Sequence, residues 1–268
     1  MSYKLISVKD KSKVKTLSFT IAGISEEQLQ KFFKKISHNF KMLENLTLLS
    51  RYGQLNDRTI KIFSEGMYKH LSLVSSTLST LIIDFEYNEF SIATSFFESL
   101  EKFQNLTTLK LNLRDNYLDE NTHLSLGNCL GNLNQLCTLH LNISRTNFTA
   151  QSISNLGKGI GKIANLISLK LNMEGQLFLP EYADSFFIHL FDLNQLSYIQ
   201  IDLWDQQMGD KAYGVVSALY SKVEYQRLIF QPFSLTLMIN NNQLKKLLSK
   251  YLKENLKEEY LDFKQYLI

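Results

Sequence analysis

Short runs of alternating apolar and polar residues return along this chain at nearly constant intervals. Asn105-Leu-Thr-Thr-Leu-Lys-Leu-Asn-Leu113, Gln135-Leu-Cys-Thr-Leu-His-Leu-Asn-Ile143 and Asn165-Leu-Ile-Ser-Leu-Lys-Leu-Asn-Met173 nearly superimpose, and Gln195-Leu-Ser-Tyr-Ile-Gln-Ile-Asp-Leu203 keeps the pattern. Their anchors Leu109, Leu139, Leu169 and Ile199 are 30 residues apart, and earlier copies are anchored at Leu81, Leu46 and Leu17. Alternation with a period of two predicts a half-buried strand in each of these seven units. The second half of each unit changes period: Phe96, Leu100, Phe103 and Leu106 lie four, three and three residues apart. Leu126, Leu130, Leu133 and Leu136 repeat those spacings, as do Leu156, Ile160, Ile163 and Leu166, and then Phe186, Leu190, Leu193 and Leu196. Such spacings predict a helix with one buried stripe.

A further column lies just past each strand, where a polar residue precedes an apolar one by two: Asn88/Phe90, Asn116/Leu118, Thr146/Phe148, Gln176/Phe178 and Gln206/Met208. Buried loops leave backbone groups in need of partners, and a stacked column of polar side chains supplies them. Leu111-Asn-Leu113-Arg-Asp-Asn116-Tyr-Leu118 therefore resembles the leucine-rich-repeat signature L-x-L-x-x-N-x-L. The long period and the added helix resemble the ribonuclease-inhibitor-like variety over about residues 14–230, and the wording is similar to repeat proteins of ciliates and other protists.

That resemblance implies an α/β fold: a right-handed solenoid of seven or eight repeats, with parallel strands on a concave face and helices on a convex one. The expected organisation is a basic N-terminal segment at 1–13, the solenoid at 14–240 and a helical cap at 241–268, where Leu244, Leu248, Leu252 and Leu256 recur every fourth residue. An eighth strand is expected at either Leu228-Ile-Phe230 or Leu235-Thr-Leu-Met-Ile239, on the two sides of Pro232.

Charge and cysteine usage narrow the function. A net charge of +3 gives no bulk attraction for nucleic acid, although Lys4, Lys9, Lys11, Lys13 and Lys15 crowd near the start and read as a solvated edge. Two cysteines, Cys129 and Cys137, make neither a disulfide framework nor a four-ligand zinc site. No apolar run reaches the ~18 residues of a membrane span, and the first residues hold no secretion signal, so an intracellular, cytoplasmic location is expected.

No reading of the residues leads to an enzyme or to a cofactor. Gly157-Lys-Gly-Ile-Gly161-Lys162 has the wrong spacing for a phosphate loop and lacks the following Ser or Thr. Gly127 and Gly131 stand at the same positions one unit earlier, which points to close helix packing instead. The five histidines His38, His70, His123, His140 and His189 fall in different units, none at metal-ligand spacing.

Alternation assigns the outward residues of the sheet. One column reads Ile82, Lys110, His140, Lys170, Gln200; the next reads Asp84, Asn112, Asn142, Asn172, Asp202; the third reads Arg51, Glu86, Arg114, Ser144, Glu174, Trp204. Mixed charge over a polar floor suits a protein partner better than a polyanion, and an exposed Trp204 beside Asp202 and Glu174 has the composition of a binding hot spot. The expected function is a non-catalytic adaptor or structural subunit. Its partner surface is expected to be Lys110, Asn112, Arg114, His140, Asn142, Lys170, Asn172, Glu174, Asp202 and Trp204. The alternative within the resemblance is a GTPase-activating protein or a ubiquitin-ligase substrate receptor. Small-molecule substrates and nucleic acid are not expected.

Overall fold

The computed structural model describes residues 11–176, 186, 189–190, 193, 195–196, 198–202 and 234–237. The strands stand where alternation places them: β1 (Thr16–Thr20), β2 (Asn45–Leu49), β3 (Thr80–Asp84), β4 (Thr108–Asn112), β5 (Thr138–Asn142), β6 (Ser168–Asn172), β7 (Tyr198–Asp202) and β8 (Ser234–Leu237). They form one sheet in sequence order, every neighbouring pair parallel. The anchors Leu17, Leu46, Leu81, Leu109, Leu139, Leu169 and Ile199 are mutual partners across seven strands, so the sequence period and the sheet register coincide. Of the two candidate eighth strands, the one after Pro232 pairs with β7.

The crossovers carry α1 (Glu26–Asn39), α2 (Asp57–Lys69), α3 (Thr94–Leu100), α4 (Glu120–Asn132) and α5 (Ala150–Gly161). Local chemistry starts them. Ser25 and Gln28 form a reciprocal capping box on α1, Asn56 and Thr59 one on α2, and Asp119 and Thr149 cap α4 and α5. Neighbouring units also help: Asp57 Oδ1 accepts from the N–H groups of Ser91 and Ile92 ahead of α3. The buried stripe is only partly helical. Leu126 and Leu130 lie in α4, whereas Leu133 and Leu136 follow it and are held by i→i−3 bonds, Leu133 N to Leu130 O and Leu136 N to Leu133 O. A spacing of three is the repeat of the tighter turn, which explains why the apolar period outlasts the α-helix.

Helices flank the sheet on the side of its inward leucines, and one continuous core runs between the layers from Ile21 to Ile201. Its N-terminal part is aromatic, with Phe33, Phe63 and Phe85 meeting edge to face at centroid distances of 5.0 and 5.1 Å. The other face of the sheet is open.

The solenoid expectation requires correction here. The architecture is an alternating β/α array with an all-parallel sheet, but that sheet is neither closed nor strongly curled, so concave and convex faces are not features of this fold. Curl in a stacked β/α array comes from helices needing ~8–10 Å where strands need ~4.8 Å. Glycines at the helix contacts reduce that mismatch. A Cβ placed on Gly159 would lie 2.0 Å from the Gly127 carbonyl oxygen, and one on Gly127 would lie 2.7 Å from that of Asn155. The glycine motif is thus a packing device, as its spacing indicated. No helix among the described residues is long and apolar enough to cross a membrane. Residues 1–10, the cap at 241–268, Trp204 and Gln206 lie outside the described residues.

Candidate binding face

The polar column behind the strands does the work expected of it. Asn116 is buried, and its Nδ2 donates to the carbonyls of Phe85 and Leu113, both at 2.8 Å, while its Oδ1 accepts from Asn88 N. Asn88 repeats this for Ser50 O and Phe85 O and accepts from Leu55 N. Thr146 is too short to span its loop, donating only to Ile143 O. Gln176, one methylene longer than Asn, reaches across to Ile143 O and to Thr146 Oγ1 and accepts from Phe148 N. A short residue and a long one thus share the Ile143 carbonyl, where a single asparagine holds the equivalent Leu113 carbonyl.

On the open face, register brings the expected columns together. Lys110, His140 and Lys170 are cross-strand neighbours, as are Asn112, Asn142, Asn172 and Asp202. All of these, with Arg114 and Glu174, are half-buried. The residues of these two columns, but not Arg114 or Glu174, line a shallow trough of about 330 Å³ that runs from Arg51 and Asp84 to Gln200 and Asp202.

The columns differ in what their atoms are already doing. In the second column, side-chain oxygens accept from the backbone N–H two residues on: Asp84 from Glu86, Asn112 from Arg114, Asn142 from Ser144 and Asn172 from Glu174. Each bond turns the chain at a strand end, a structural duty repeated in four units. The third column is an ionic network. Arg51 pairs with Asp84 at 2.5 Å and with Glu86 at 3.5 Å. Arg114 lies 3.8 Å from Glu86, 3.6 Å from Glu174 and 3.0 Å from Asp115, and Arg145 lies 2.9 Å from Glu174. Asn112 Nδ2 adds donations to Asp84 and Glu86. Hydrogen bonding to Asp84 and Asp115 respectively raises the pKa of Arg51 and Arg114. Sequence reading missed Asp115 and Arg145. Both have positive φ of 55°, which turns a residue one past the outward column back into the row.

The first column is different. Among the described residues neither Lys110 nor Lys170 forms an ion pair, although Lys170 Nζ lies 5.4 Å from the Tyr198 ring centroid. Burial, reinforced by the charges of Lys110 and Lys170, pushes the His140 pKa down. The imidazole between the lysines is therefore neutral near pH 7.

Elsewhere, His123 and Ser152 have the geometry of a base and a hydroxyl, with Nδ1 to Oγ at 3.0 Å, but both are buried, and His123 Nε2 donates to the Thr146 carbonyl at 3.1 Å. Burial lowers the His123 pKa from the ordinary 6.5. Above that pH both folded and unfolded chains are neutral at this site. Below it the unfolded chain takes up a proton that the folded one refuses, so stability falls with pH by up to about 1.4 kcal/mol per unit. In imidazole NMR titration His123 is expected to take up its proton at a lower pH than an exposed histidine, and His123→Gln is expected to flatten the loss of stability as the pH falls below 6.5. Burial likewise raises the Cys129 thiol well above its usual range, and both cysteines are free. Among the described residues no group of three or more His, Cys, Asp or Glu is placed to hold a metal.

No protein-family model matches the chain, and no curated protein matches it. Among solved structures it is similar to a Bacteroides fragilis protein at 12% identity and a TM-score of 0.46, over 86% of this chain and 67% of that one. So distant a likeness carries no argument. The expected membership in the ribonuclease-inhibitor-like leucine-rich repeats, with its protist relatives, is accordingly corrected. The open sheet lacks the curl of that horseshoe, and the L-x-L-x-x-N-x-L wording reflects local demands of a stacked β/α unit. Inward leucines and a polar side chain behind the strand meet those demands in any such array.

Proposed function

We propose that this chain is a non-catalytic binding module, an adaptor or structural subunit of a larger complex, that holds a protein partner against the open face of its sheet. The observation that carries the reading is the first column. Two lysines and a neutral imidazole stand half-buried in a trough, with hydrogen-bonding capacity that no group among the described residues takes up. Half-buried polar groups of this kind gain most when a partner removes the remaining water and supplies the missing bonds. The reading goes with a cytoplasmic location, which two free thiols suit, and with no cofactor or small-molecule substrate.

The test is affinity purification of the tagged chain from its source cells, compared with His140→Trp, which fills the trough floor. The wild type is expected to retain a stoichiometric protein that the variant loses while keeping its circular dichroism and melting temperature. Retention of the same protein by the variant assigns the contact to another surface and ends this reading, as does the absence of any partner.

A further inference from the structure

The sequence presents the open face as a mixture of charges, but the structure separates them. Glu86 and Glu174 are held by Arg51, Arg114 and Arg145, and Asp84 is held by Arg51 and Asn112. What the network leaves at the centre of the trough, among the described residues, is cationic: Lys110 and Lys170, flanking His140. Beside them, the Asn142 and Asn172 oxygens are taken by turns, whereas among the described residues their Nδ2 groups donate to nothing. Every uncommitted group at the centre of the trough other than the imidazole is thus a donor.

We infer that Lys110, Lys170 and the side-chain amides of Asn142 and Asn172 form a carboxylate-binding subsite, and that it takes an acidic segment of a protein partner. This rests on the open-face reading above. Two cations are too few for a polyanion backbone, which is held by a run of Lys and Arg. A carboxylate brings one charge, accepts from both a lysine and an amide, and fits between charged neighbours. Lys110 and Lys170 are two strands apart, about 9.6 Å at ordinary sheet spacing. An extended polyproline-type segment returns to the same face every third residue, at a rise of ~9.3 Å. The occupant therefore carries Asp or Glu at every third position.

The experiment is fluorescence anisotropy on the full chain, with a labelled Ser-rich peptide bearing Glu at every third residue. Its Gln counterpart, a phosphoserine counterpart and a single-stranded RNA oligonucleotide serve as competitors. The Glu peptide is expected to bind, to weaken as salt is raised, and to lose at least tenfold in affinity with Lys110→Gln/Lys170→Gln. Both substitutions keep the stem of a half-buried side chain, and unchanged melting confirms folding. A single Asn142→Asp, which keeps the oxygen that accepts from the Ser144 N–H and removes the amide donor, is expected to weaken binding as well. Equal binding of the Gln peptide, no loss with the double substitution, or tighter binding of the phosphopeptide or RNA overturns the inference. If His140→Trp strips a cellular partner while the Glu peptide fails to bind, the open-face reading stands and the carboxylate subsite falls.

Discussion

Asn116→Ala is expected to lower the unfolding free energy by about 3 kcal/mol. Asn116 is fully buried between two units. Its loss leaves the Leu113 carbonyl and the Asn88 N–H without the bonds they now make to it, while Phe85 O keeps its bond from Asn88. Two orphaned buried groups at ~1–2 kcal/mol each, with a small cavity added, give that magnitude. Asn116→Asp is expected to cost more at neutral pH, because a carboxylate cannot donate and would face two carbonyl oxygens. Urea unfolding of both variants measures this. A cost below ~1 kcal/mol for Asn116→Ala would mean that water or a neighbouring side chain takes over the column.

Gly159→Ala is expected to destabilise by about 2 kcal/mol, although alanine favours a helix over glycine by ~1 kcal/mol. The added methyl would lie 2.0 Å from the Gly127 carbonyl oxygen, a backbone atom that cannot step aside without moving α4. Gly131→Ala is the matched control. There the nearest atoms are the Lys162 Cδ at 3.1 Å, on a side chain that can swing away, and the Gly159 carbonyl oxygen at 3.3 Å, so propensity and mild crowding nearly cancel and the change is expected to be neutral within ~0.5 kcal/mol. Equal effects of the two substitutions in thermal or urea unfolding would refute the role given to close helix packing in keeping the sheet open.

Much of the architecture was legible because strand alternation and sheet register are one periodicity. The leucine anchors from Leu17 to Leu169 each stand second in a five-residue strand and pair with one another. The column at Asn88, Asn116, Thr146 and Gln176 was legible for a similar reason, since a buried loop repeats its hydrogen-bond demand once per unit. Curvature was not legible. It depends on how closely helices approach, which Gly127 and Gly159 set through contacts between units, whereas the motif resemblance describes only the inside of one unit. The binding face was half legible: alternation placed Lys110, His140 and Lys170 together, but nothing in a column of letters shows which charges are already paired. Asp115 and Arg145 enter the network through left-handed backbone, and Asn142 and Asn172 spend their oxygens on turns. Those facts reduce the ten expected contact residues to the few with capacity to spare, with Trp204 outside the described residues.

The most direct test of the open-face assignment is a lysine-reactivity footprint of the isolated complex, comparing the free and partner-bound chain by limited acetylation and mass spectrometry. Lys110 and Lys170 on the sheet are expected to lose reactivity on binding, while Lys34, Lys69 and Lys158 on the helices keep theirs. Protection of the helical lysines with Lys110 and Lys170 unchanged would contradict the assignment and move the partner to the opposite side of the molecule.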